Sequence, residues 1–160
     1  MRRLTLLPLA LLAAVAAGVL TSAAPDASTK IETVGFCRLT DNPKEYDNKT
    51  VRVRVSYLFD TTMTDDPFYH FYDPTCASSE RRAAPDFETM DDQARARAFK
   101  LIETRASRNS AGTMARVELV VVGRFSSSKK GYGHLGQHPF GFEVTRVERV
   151  NTIPESTPWP

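Results

Sequence analysis

The chain is expected to fold as one mainly β domain with one or two helices, a small five-stranded barrel of β-β-β-α-β-β order preceded by a helical turn. Three observations point there: a strict apolar alternation from Val51 to Phe59, two further long strand patterns at Met114–Phe125 and Phe140–Val150, and a single amphipathic helix between the third and fourth strands.

In front of the domain, residues 1–23 have the form of a cleavable signal peptide. Arg2 and Arg3 supply the positive start, Leu4 to Leu20 the apolar run, and Thr21-Ser22-Ala23 the small-residue cleavage site. The run is short for a bilayer span, which takes about 20 apolar residues, so no stable membrane span is expected after cleavage. Two of the 21 basic residues belong to this leader, which leaves 19 against 19 acidic residues. A net charge of zero argues against a duplex-binding footprint, and no nucleic-acid partner is expected. The remaining 137 of 160 residues suit one domain. Cys37 and Cys76 are the only cysteines, and a pair in an exported chain is expected to be bridged, stabilising by about 4 kcal/mol through loop closure.

The elements follow in order. Ile31, Val34 and Cys37 recur every three residues, as in a short helix or turn. Asn42-Pro43-Lys44-Glu45 reads as an N-cap, a proline at the first helical position and a glutamate at the third, which predicts one helical turn. Tyr46 then packs, and Asp47-Asn48-Lys49 reverses the chain with Asn48 in a left-handed conformation. Asn48-Lys49-Thr50 also spells a glycosylation sequon, read as coincidental in a bacterial-type chain.

After the strand Val51–Phe59 come a turn from Asp60 to Pro67, an aromatic strand Phe68–Tyr72, and a weak strand near Ala83–Phe87 that Pro85 would confine to an edge. Thr89 is the expected helix N-cap, with Asp91 and Asp92 beside the positive end of the dipole. Ala94, Ala98, Leu101 and Ile102 form the apolar stripe, and Gly112 lies beyond the helix end. The strand Met114–Phe125 is expected to be buried on both faces around Val120 and Val122. In the final strand Phe140, Phe142 and Val144 keep one phase and Val147 the other, which predicts a bulge near Thr145 and Arg146. Residues 24–150 form the expected domain, and 151–160 a proline-rich flexible tail, mobile or draped over the surface.

The opening Asn42-Pro43-Lys44-Glu45-Tyr46-Asp47-Asn48-Lys49, followed by Val51-Arg52-Val53-Arg54-Val55, resembles the entry to small bacterial OB-like domains, with Asn48 where a glycine is common. Tyr72-Asp73-Pro74-Thr75-Cys76 and Gly131-Tyr132-Gly133-His134-Leu135-Gly136 are similar to segments of uncharacterised small exported bacterial proteins with an OB-like β-barrel. The likeness covers roughly residues 34–150. It implies a fold and a periplasmic or secreted location, and transfers no activity, because such folds host unrelated sites.

Candidate function centres on Ser126–Pro139, fourteen residues where a hairpin connection usually takes two to five. In OB-like folds this loop flanks the ligand surface, and here it carries Tyr132, His134, Gln137 and His138 as tentative ligand-binding residues. The structural alternative is that Gly131, Gly133 and Gly136 permit tight turns while Tyr132 and Leu135 cap the barrel mouth. His134 and His138, with His70, could suit zinc or copper, but four-residue spacing in a glycine-rich segment is not diagnostic, and no metal ligand set is assigned.

Other features read as structure first. Arg95, Arg97, Lys100, Arg105 and Arg108 suit a solvated helix face as well as an anion patch, and Phe68, Tyr69, Phe71 and Tyr72 suit packing as well as base or sugar stacking. Asp60, Asp65 and Asp66 lack the calcium-loop pattern, and no nucleophile elbow, phosphate loop or zinc-protease motif occurs, so no catalytic residue and no cofactor is assigned. The sequence therefore points to a non-enzymatic periplasmic or secreted binding or interaction module for an envelope protein or small ligand. The alternative is a metal-binding protein or metal-dependent enzyme centred on His134.

Overall fold

The computed structural model describes residues 30–62, 68–76, 78, 80–154, 156, 157 and 159, with only the backbone of His134. The expected signal peptide, residues 63–67 of the Asp60–Pro67 turn, and with them Asp65 and Asp66, lie outside the described residues.

The described residues are mainly β, with seven strands in one mixed sheet and three α-helices. In chain order these are β1 Glu32–Gly35, α1 Phe36–Asp41, α2 Pro43–Tyr46, β2 Thr50–Asp60, β3 Tyr69–Tyr72, β4 Ala83–Asp86, α3 Asp92–Arg105, β5 Ser107–Arg108, β6 Met114–Tyr132 and β7 His138–Asn151. The sheet order is β1-β2-β3-β4-β7-β6-β5, and β6 also pairs with β2 along the whole of β2, from Thr50↔Arg124 to Asp60↔Met114. The pairings β2-β3-β4-β7-β6-β2 thus close on themselves through five strands. The two strands beyond the five expected, β1 and β5, are short pieces attached to the outside of this cycle.

Alternation builds the interior. Val51, Val53, Val55 and Tyr57 of β2 face Val117, Leu119, Val121 and Phe125 of β6 and Phe142 and Val144 of β7 in one buried cluster. An aromatic group completes it: Phe71 meets Tyr57 edge-on at 5.6 Å and Phe142 at 5.9 Å, and Phe87 meets Phe99 of α3 at 5.1 Å. Edge-to-face contacts of this kind add to the burial of the rings themselves. From Val55 to Leu58, β2 is buried on both faces, not the single face its alternation predicts. The second face is occupied because Ser56 and Leu58 lie beside Tyr72 and His70 of β3, all of them buried.

Several local expectations change for tertiary reasons. Ile31 to Cys37 is not one helical turn: residues 32–35 pair in parallel with β2, and the helix begins at Phe36. Pro43 opens α2 as expected, but the Asn42 side chain donates back to the Arg38 carbonyl instead of capping α2. Asn48 takes the left-handed conformation, with φ 59°. β4 is not an edge strand, for it runs parallel to β7 from Ala83↔Phe140 to Asp86↔Glu143. Since β3 meets it only at Phe71↔Ala83, Pro85 has no β3 partner that needs its missing N–H.

The cap of α3 is Asp91, whose carboxylate accepts from the Ala94 N–H at 2.8 Å, while the Thr89 hydroxyl donates to the Val144 carbonyl. Ala98 and Ile102 carry the buried stripe; Leu101, expected there, is exposed. In β7 the predicted bulge falls at Thr145, which the pairs Val122↔Arg146 and Gly123↔Val144 skip, and a second register shift skips Glu148. Of the tail, Asn151 ends β7, Ile153 is buried, Arg116 donates to the Thr157 carbonyl, and the Arg116 guanidinium lies 4.2 Å from the Trp159 ring centroid. Cys37 and Cys76 form a disulfide that ties α1 to the turn after β3.

Candidate functional site

The expected fourteen-residue loop is mostly hairpin. β6 continues to Tyr132, a 3-10 turn spans His134–Gly136, and β7 starts at His138, with Tyr132↔His138 as the closing pair. Two glycines make the closure possible. A Cβ on Gly131 would lie 2.3 Å from the Gly136 carbonyl oxygen, and both residues have φ near +70°, so neither position takes a side chain without strain. Leu135 at the tip also has positive φ, at 55°, and is 84% exposed, so it does not cap anything.

The four sequence-designated residues separate. Gln137 and His138 line a cleft of 740 Å³ together with Glu80, Arg82, Lys129 and Lys130. Tyr132 packs on Gly141 and lines a second cleft with Tyr57, Tyr69 and Phe99. His134 lies between them in the 3-10 turn.

Arg82, Lys129 and Lys130 were not singled out from the sequence, and their proximity depends on the parallel pairing of β4 with β7. The pair Ala83↔Phe140 sets Arg82 beside Pro139, so the residue just ahead of the third strand of the cycle joins the end of the last hairpin. The adjacent Lys129-Lys130 in a long connection was the one local signal available.

His138 is 6% exposed, and His70 of β3 is fully buried with its ring centroid 5.6 Å away. Neither ring nitrogen of His70 has a hydrogen-bond partner among the described residues. Burial, reinforced by the Arg82 charge and by His138, pushes His70 down to about 3. His138 is lowered too, by burial first and by Arg82 second, against the opposing pull of its hydrogen bond to the Tyr69 backbone. Both imidazoles are therefore neutral at neutral pH. Burial, the larger cause, holds both rings in the neutral form, and only the smaller Arg82 contribution opposes a further positive charge beside them. Among the described residues the one group of three close ligand-type side chains is Cys37, Asp73 and Cys76, and its two sulfurs are consumed by the disulfide.

Of the helix cations Arg95, Arg97, Lys100, Arg105 and Arg108, only Arg97 and Arg105 line one cleft, between α3 and β7, where Arg146 and Arg149 join them. Arg95 pairs with Asp92 at 2.6 Å, Arg105 donates to the Val150 carbonyl, and Arg108 lies in β5. The aromatic strand divides by parity, Tyr69 and Phe71 packing against the main cluster and His70 and Tyr72 buried on the opposite side.

Fold and site together define a small disulfide-bridged, mainly β domain with a cationic cleft at the end of its last hairpin. No protein-family model, no curated protein and no solved structure matches the chain. No helix among the described residues is long and apolar enough to cross a membrane.

Proposed function

We propose that this protein is a non-enzymatic binding module, exported to the periplasm or the medium, whose cationic cleft takes an anionic ligand or the acidic surface of an envelope partner. The observation that carries this reading is the convergence of Arg82, Lys129 and Lys130 on His138 and Gln137 around a 740 Å³ cleft in which Glu80 is the opposing charge. Cations gathered on a glycine-framed hairpin supply charge-assisted hydrogen bonds to carboxylate, sulfate or phosphate oxygens. The disulfide fits an oxidising compartment. We read the cycle of five strands, with α3 between its third and fourth members, as an OB-like barrel, in which the connection of the last two strands borders the ligand surface. We favour an anionic ligand over a metal centred on His134 because Arg82, Lys129 and Lys130 line the cleft together with His138.

A sulfated heparin hexasaccharide is a suitable probe by calorimetry at low salt. Saturable binding should fall roughly tenfold in a variant carrying Arg82→Gln, Lys129→Gln and Lys130→Gln, with a matching loss as salt rises. Absence of binding, or binding that the triple substitution leaves intact, overturns the assignment of this cleft.

A further inference from the structure

In a second cleft bordered by the same hairpin, we propose a further binding site, for an organic cation with an apolar body, walled by Tyr57, Tyr69, Phe99 and Tyr132 and rimmed by Asp86 and Glu88. The cleft measures 510 Å³, within the range of small-ligand sites. This goes beyond the proposed function, since it concerns a different cavity of opposite charge.

The walls are built. Tyr132 is seated on Gly141, where a Cβ would lie 2.5 Å from its ring, so the phenol is held flat against β7 by the absence of a side chain beneath it. Phe99 is held by an edge contact to Phe87. Tyr69, Phe99 and Tyr132 are only part-buried, so they leave ring surface open to the cleft.

Tyr57 supplies a polar atom at the floor of the cleft. The residue is 6% exposed and lines the cleft, and its hydroxyl, which makes no hydrogen bond among the described residues, still reaches solvent there. Its hydrogen-bonding capacity is therefore open to a ligand in the cleft. Burial, with Tyr69 as its neighbour, raises its ionisation above the ordinary phenol range, so the group stays a neutral hydroxyl able to accept from an ammonium or guanidinium N–H.

Charge decides the ligand class. Of the three carboxylates at the cleft, Glu143 is neutralised by Arg124, whose Nη2 lies 2.7 and 2.8 Å from its two oxygens. Asp86 and Glu88 make no ion pair among the described residues, and Asp86 only accepts from the Glu88 backbone N–H. Two uncompensated carboxylates beside aromatic faces attract a cation and repel an anion. A neutral sugar could use the same walls but would have no need of the charge.

Three isosteric probes separate these cases: tyramine, the neutral tyrosol and the anionic 4-hydroxyphenylacetate, titrated into the folded domain by NMR. Tyramine should shift the resonances of Tyr69, Phe99 and Tyr132 saturably, with tyrosol roughly tenfold weaker and the anion weaker still. Asp86→Asn with Glu88→Gln should bring tyramine to the affinity of tyrosol. Tyr57→Phe should weaken tyramine severalfold and leave the melting temperature unchanged, since no protein hydrogen bond is lost. The proposal fails if tyrosol binds as well as tyramine, if the double substitution has no effect, or if tyramine gives no saturable shift.

Discussion

His70 illustrates how much one enclosed side chain controls. Its two ring nitrogens have no partner among the described residues, and burial together with Arg82 and His138 brings it from 6.5 to about 3 in the folded state. The unfolded chain therefore takes up this proton first as pH falls. Stability is complete above pH 6.5 and is lost on acidification towards pH 3, at about 1.4 kcal/mol per pH unit for this group alone. His70→Phe should flatten the decline in urea midpoint between pH 6.5 and 4 relative to the parent chain, and equal slopes in the two proteins count against this account. At this scale the sequence was readable where the chemistry is local. Asn48 at φ 59° follows from the tolerance of its short amide for left-handed backbone. Leu135 at φ 55° follows from nothing in its own side chain, but from the close approach of Gly131 and Gly136 around it.

At the scale of elements, α3 was visible from its stripe and its acidic first turn, but its cap was not assignable without the fold. Thr89 and Asp91 are both good cap residues, and the tie is broken by Val144, whose carbonyl takes the Thr89 hydroxyl and leaves the cap to Asp91. Asp91→Ala should accordingly cost about 1 kcal/mol by chemical denaturation, whereas Asp92→Ala, which removes only a dipole interaction and an exposed pair with Arg95, should cost a few tenths, roughly. Equal losses would place the cap elsewhere. The bulge at Thr145 was legible because a change of apolar phase between Val144 and Val147 has no other explanation in a continuous strand. The skip at Glu148 was hidden, since one phase change cannot reveal how many residues share it.

For the whole molecule, the Cys37–Cys76 bridge joins α1 to the turn beyond β3 across 39 positions and restrains the entry of the chain into the sheet. Replacing both cysteines by serine should lower unfolding stability by about 4 kcal/mol, read from urea midpoints under identical conditions. A loss below about 1 kcal/mol would mean that the unfolded state is already constrained without it.

The sequence by itself determined the mainly β character, the long strands, the helix between Asp92 and Arg105 and the pairing of the two cysteines. All of these follow from patterns that repeat within a few residues or from the simple count of cysteines. Only the tertiary structure decided that β4 lies between β3 and β7, that Arg82 stands beside Lys129 and Lys130, that Tyr132 and His138 serve different clefts, and that Trp159 covers Arg116. The physical reason is that apolar periodicity says which face of a strand is buried. Which other strand lies beside it is set by the packing of the whole core, and with it every contact between distant polar side chains.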